Sequence, residues 1–125
     1  MRIKVHIDIQ ANGYVVSKEL KRSIHKRIHR SFKFHKRKVR KVVVRLFYTI
    51  GSRGQTIKSC RVLTVANGIP QLVTEKRSTN LMDAINSSIS VSSRTVAKYL
   101  QKLKHYRLGQ SRLLEQSQLI HRRIA

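Results

Sequence analysis

The chain opens on strict alternation. Ile3, Val5, Ile7 and Ile9 fall on one side of an extended segment, and Lys4, His6 and Asp8 fall on the other. Arg2 to Ile9 therefore reads as a half-buried strand, broken by Ala11-Asn12-Gly13. The period then changes. Ser17 offers an N-cap and Glu19 a first-turn carboxylate, and Leu20, Ile24, Ile28 and Phe32 form the apolar ridge of a first helix. Lys33 to Lys41 is a basic connector carrying Phe34 and His35. Val42 to Ile50 is rich in β-branched and aromatic residues, with Val42, Val44, Leu46 and Tyr48 on the expected core face and Arg45 outward. Gly51-Ser52-Arg53-Gly54 makes a hairpin loop, and Thr56 to Ala66 is the returning strand. Asn67-Gly68 and Pro70 turn the chain into a short fourth strand, Leu72 to Lys76.

The longest periodic stretch is Thr79 to Tyr106. Asn80 and Asp83 stand as the two members of a capping box. Ala84, Ile85, Ile89, Ser92, Val96, Leu100 and Leu103 recur at spacings of three and four, which places them on one helix face. Arg94, Lys98, Lys102 and His105 fall on the opposite face, one above the other. The first helix has the same division: Lys18, Arg22, Lys26 and Arg30, with His25 and His29, lie opposite its apolar ridge. Gly109 is expected to end the long helix, and Ser111 to Ile124 has the pattern of a short last helix that would be marginal alone. The order β-α-β-β-β-α predicts an α+β domain: a four-stranded, mostly antiparallel sheet with both helices on one face. Residues 1–106 are expected to form this domain, and 107–125 a basic C-terminal tail, helical or disordered.

Charge changes the picture. The 125 residues include 28 Lys and Arg against 5 Asp and Glu, a formal charge of +23, while the apolar share of 40% is that of a folded protein. Such a domain repels itself unless a polyanion neutralises it, and nucleic acid is the commonest one in a cell. An anionic membrane bound through the tail is a weaker reading. The chain has no apolar run near the length of a membrane span and no apolar signal core at its start, so a cytoplasmic location is expected.

Enzyme chemistry has little to stand on. The carboxylates Asp8, Glu19, Glu75, Asp83 and Glu115 are scattered, which disfavours acid–base catalysis. Cys60 is the single cysteine and reads as a small buried hydrophobe. His25 and His29 have a spacing that can bind zinc, but no third ligand is evident, so neither a metal nor a cofactor is expected. Phe32, Phe34, Phe47 and Tyr48 are expected in the core rather than as base-stacking platforms.

Several segments, in order, carry a resemblance. Ile7-Asp8-Ile9-Gln10-Ala11-Asn12-Gly13, Val42-Val43-Val44-Arg45-Leu46, the Gly51–Gly54 loop, Cys60-Arg61-Val62, Asn67-Gly68-Ile69-Pro70 and Asn80-Leu81-Met82-Asp83-Ala84-Ile85-Asn86 are similar to corresponding stretches of the ribosome hibernation-promoting factor and ribosome-associated inhibitor family, in its short form. The resemblance covers roughly positions 3 to 104. Arg94 falls on the arginine of the family's Lys-Leu-x-Arg motif, although Val91-Ser92 replaces its Lys-Leu pair.

The resemblance implies the β-α-β-β-β-α fold and a bacterial factor expressed under stress. It implies binding to small-subunit ribosomal RNA in the channel of transfer and messenger RNA, in competition with both, so that idle ribosomes are silenced. The RNA-binding residues expected from charge and resemblance together are Lys18, Arg22, Lys26, Arg30, Arg94, Lys98, Lys102 and His105. The tail departs from the acidic tail of inhibitor-type members, since Arg112, Arg122 and Arg123 make it basic. The alternative is a permanent ribosomal or double-stranded-RNA-binding structural protein, which would have a similar pattern.

Overall fold

The computed structural model describes residues 5–13 and 15–124, with side chains described up to residue 109. The elements follow the expected order: β1 (His6–Ala11), α1 (Lys18–Ser31), β2 (Val39–Ile50), β3 (Thr56–Ala66), β4 (Leu72–Ser78) and α2 (Leu81–Ile124). The sheet order is β1-β2-β3-β4. The α1 crossover makes β1 parallel to β2, and the two hairpins make the remaining pairs antiparallel.

Register separates two faces. Ile7, Val42, Thr64 and Leu72 share one row, and Ile9, Val44, Val62 and Thr74 the next. Val42, Val44, Leu46, Cys60 and Val62 on this face are fully buried, together with Ile24, Ile28 and Phe32 of α1 and Ala84, Ile85, Ile89 and Val96 of α2. The core is thus a single layer between the sheet and the undersides of the two helices. Ser88 and Ser92 belong to the same buried underside. Each hydroxyl donates to a carbonyl one turn back, to Ile85 at 3.0 Å and to Ser88 at 2.7 Å. Their small size lets α2 approach the sheet without leaving a polar atom unsatisfied.

Both helix starts are capped. Ser17 Oγ accepts from the Leu20 N–H at 3.1 Å. Asn80 Oδ1 accepts from Met82 at 2.9 Å and Asp83 at 3.4 Å. The reciprocal half of the expected capping box is supplied differently: the Asn80 N–H donates to Ser78 Oγ at 3.2 Å.

Four expectations are corrected. β2 starts at Val39, inside the stretch expected to be connector, because Val39 is fully buried and pairs with Ala66 across a register shift. Gly109 does not end α2; its backbone has no positive φ, and the helix runs unbroken to Ile124. Tyr48 is 47% exposed, its ring lying against Gly13, where a Cβ would come within 2.7 Å of it at φ +91°. Phe34 is 83% exposed, on the turn between α1 and β2. The expected strand positions Arg2 to Lys4 lie outside the described residues.

Candidate nucleic-acid interface

On α1, Lys18, Arg22, Lys26 and Arg30 are all exposed at four-residue intervals. On α2, Arg94, Lys98, Lys102 and His105 are likewise exposed, opposite the buried row. The structure therefore places every expected site residue on the outer side of the helical layer. The amphipathic pattern dictates this, since each helix turns its oily side to the sheet.

The two helices meet at Ser90. Arg27 Nη2 of α1 donates to Ser90 Oγ at 3.0 Å, and Arg94 Nε donates to the Ser90 carbonyl at 3.4 Å. One residue thus holds a guanidinium from each helix, which joins the basic faces into one surface. Arg27 is half-buried, and its Nε has no hydrogen-bond partner. Sequence reasoning missed Arg27, which interrupts the apolar ridge between Ile24 and Ile28 and so was available as a signal.

The helical layer is electrostatically uncompensated. Among the described residues, both ion pairs use Glu75 on the opposite side of the sheet, to Arg61 at 3.0 Å and to Arg77 at 3.5 Å. Glu19 and Asp83 sit in the first turns of α1 and α2, where they meet the positive helix ends. Crowding of cations is visible at His29, whose pKa is lowered first by burial and then by Lys36 and His25. A stripe that holds its charges together in this way gains most from phosphate oxygens, which replace mutual repulsion with attraction.

A second cationic region adjoins the first. The α1–β2 connector and the later turns of α2 enclose a groove of about 710 Å³. Lys33, Lys36, Arg37 and Lys38 line one side, and Lys104 and Arg107 the other. The connector's cations were legible as a basic run; their meeting with α2 was not, because it depends on how far α2 extends.

Burial pushes the Cys60 thiol up to about 11, against a hydrogen bond with Ser88 that opposes the shift. Among the described residues no group of three or more His, Cys, Asp or Glu could hold a metal ion, and no helix is long and apolar enough to cross a membrane.

Two solved structures share this architecture. One is a ribosomal subunit interface protein from Coxiella burnetii, with a TM-score of 0.66 at 13% identity, covering 78% of this chain and 99% of that one. The other is the N-terminal domain of Protein Y from Thermus thermophilus, with a TM-score of 0.57 at 8% identity, covering 76% of this chain and 97% of that one. The chain shares their fold. It is the fold that the sequence resemblance implied. No protein-family model matches the chain, and no curated protein matches it in sequence.

Proposed function

We propose that this chain is a ribosome-associated factor that binds small-subunit ribosomal RNA through the outer face of α1 and α2 and silences idle ribosomes. One observation carries the reading: an uncompensated cationic layer on a fold shared with a ribosomal subunit interface protein. Lys18, Arg22, Lys26, Arg30, Arg94, Lys98, Lys102 and His105 supply the phosphate contacts. Arginines contribute most, because the planar guanidinium engages two phosphate oxygens at once. Such contacts fix position without reading sequence, which suits the recognition of folded RNA by its shape. The bound protein would occupy the channel of transfer and messenger RNA and exclude both. Residues 1–106 form the binding domain in this reading, and 107–125 add a basic extension.

Co-sedimentation with purified small subunits across a salt series, with and without excess transfer RNA, tests this. Saturable binding that transfer RNA displaces, and that weakens steeply with salt, is expected. Binding that does not saturate, or that transfer RNA leaves untouched, would reject the channel and favour a structural RNA-binding protein.

A further inference from the structure

The groove beside the helical layer is built differently from the helical faces. Its floor is apolar, made by Leu100 and Leu103 where the buried row of α2 runs on past the core. Leu103 also packs against the Asn67–Gly68 turn, where a Cβ on Gly68 (φ +79°) would come within 2.9 Å of it. The wall is Phe34, 83% exposed. The turn holding that ring is fixed by backbone bonds: His35 N–H to the Phe32 carbonyl at 2.9 Å, Lys38 N–H to the His35 carbonyl at 3.0 Å and Val39 N–H to the same carbonyl at 2.9 Å. Phe34 is therefore held in solvent by a structured turn. The Lys33 ammonium lies 4.8 Å from its ring centroid. Above the floor stand Lys36, Lys104 and Arg107, and among the described residues no carboxylate lines the groove.

An occupant must satisfy both halves of this surface. A flat apolar ring covers Phe34 and the leucine floor, and one or more phosphates answer the cations. A bare phosphate chain or an acidic peptide would leave the aromatic wall in water. Duplex RNA keeps its bases stacked inside, where the ring cannot reach them. A nucleotide with a free base fits both halves.

We infer that this groove binds one unstacked nucleotide of single-stranded RNA, its base against Phe34 and the Leu100–Leu103 floor and its phosphate among Lys36, Lys104 and Arg107. The inference rests on the RNA-binding reading above and adds to it a second contact, specific for unpaired RNA. A free nucleoside triphosphate has the same chemistry, so the test separates the two sources.

The test measures binding of the full chain and of Phe34→Ala to four probes by fluorescence anisotropy: a labelled five-residue oligouridylate, an abasic strand of equal length, a short RNA hairpin closed by a nucleotide-free linker and a labelled ATP. Phe34 is exposed, so the variant keeps the fold. The expected result is oligouridylate binding that falls about tenfold or more in Phe34→Ala, with hairpin binding unchanged. The abasic strand should bind the native chain about as weakly as the oligouridylate binds the variant. Tighter, Phe34-dependent binding of ATP than of oligouridylate would keep the nucleotide site and assign it to a free nucleotide. Equal binding of oligouridylate and abasic strand, or no effect of Phe34→Ala on either nucleotide probe, would overturn the inference. If the hairpin and small subunits bind while Phe34→Ala changes nothing, only the groove assignment fails. If neither the hairpin nor small subunits bind, the broader RNA reading fails.

Discussion

The helical layer and the open face of the sheet carry similar residues to opposite ends. Both are rich in arginine and lysine. On the open face, Arg45, Arg61 and Glu75 lie in one cross-strand row. Arg45 donates to Gln10 Oε1 at 3.2 Å, Arg61 pairs with Glu75, and the Arg61 guanidinium also lies 5.5 Å from the Phe47 ring centroid. The neighbouring row runs Asp8, Val43, Leu63 and Val73, aliphatic but for the carboxylate at its β1 end. There Arg45, Arg61 and Arg77 are tied to side chains of the sheet. On the helices the interface cations stand three or four residues apart, and beyond the first-turn Glu19 and Asp83 no carboxylate lies among them. Charge count alone would treat the two faces as alike; the placement of Glu75 and Gln10 decides which one is left to bind a polyanion.

The largest expected effect breaks the layer itself. Ile28→Ala empties a fully buried site under α1 and should cost about 3 kcal/mol in denaturant unfolding. Val73→Ala on the open face, where Val73 is 59% exposed, should cost less than about 0.5 kcal/mol.

Charge reversal sharpens the comparison next. Arg94→Glu with Lys98→Glu should weaken small-subunit binding about a hundredfold and flatten its salt dependence. The matched pair Lys41→Glu with Arg45→Glu, on the open face, should change it by no more than about threefold. Equal losses would erase the distinction between the faces.

A smaller effect is expected at Glu75. Glu75→Gln removes the partner of Arg61 and Arg77, both largely exposed, and should lower stability by about 0.5 kcal/mol. Hairpin RNA retention at low salt should rise slightly as the open face gains free cations.

The smallest effect is a pH dependence at His29. Its pKa lies below the ordinary value in the free protein, so the unfolded chain takes up the proton first as pH falls. This residue's contribution therefore favours the fold above the ordinary value of about 6.5 and is lost as pH drops from there through the folded value. A phosphate nearby would raise the same pKa. RNA affinity should thus increase a fewfold from pH 7.5 to 5.5, and His29→Gln should remove that part of the increase. Titration of the His29 ring by NMR, free and RNA-bound, measures both shifts.

The sequence was most legible where one period governed a whole element. The ridge Leu20, Ile24, Ile28 and Phe32 and the row Ala84 to Val96 announced which side of each helix would meet the sheet, and the basic faces followed as their complement. It was least legible where local signals competed with tertiary ones. Val39 looked like part of a lysine-rich connector until its pairing with Ala66 buried it. Gly109 looked like a stop, yet a single glycine costs a long helix only about 1 kcal/mol. Phe34 and Tyr48 looked like core by residue type, but Phe34 stands on a hydrogen-bonded turn and Tyr48 near the end of β2, and both are exposed. The cationic groove was hidden for the same reason, since its two walls lie far apart in the chain and meet only through the length of α2.

The central claim is that the helical layer, not the open sheet, faces ribosomal RNA. Directed hydroxyl-radical probing tests it most directly. The native Cys60 is fully buried with its thiol pKa raised, so an iron chelate can be tethered selectively to Lys98→Cys or to Val73→Cys. On small subunits, strong local cleavage of ribosomal RNA from position 98 and weak cleavage from position 73 is the predicted result. Strong cleavage from position 73 with none from position 98 would contradict the account.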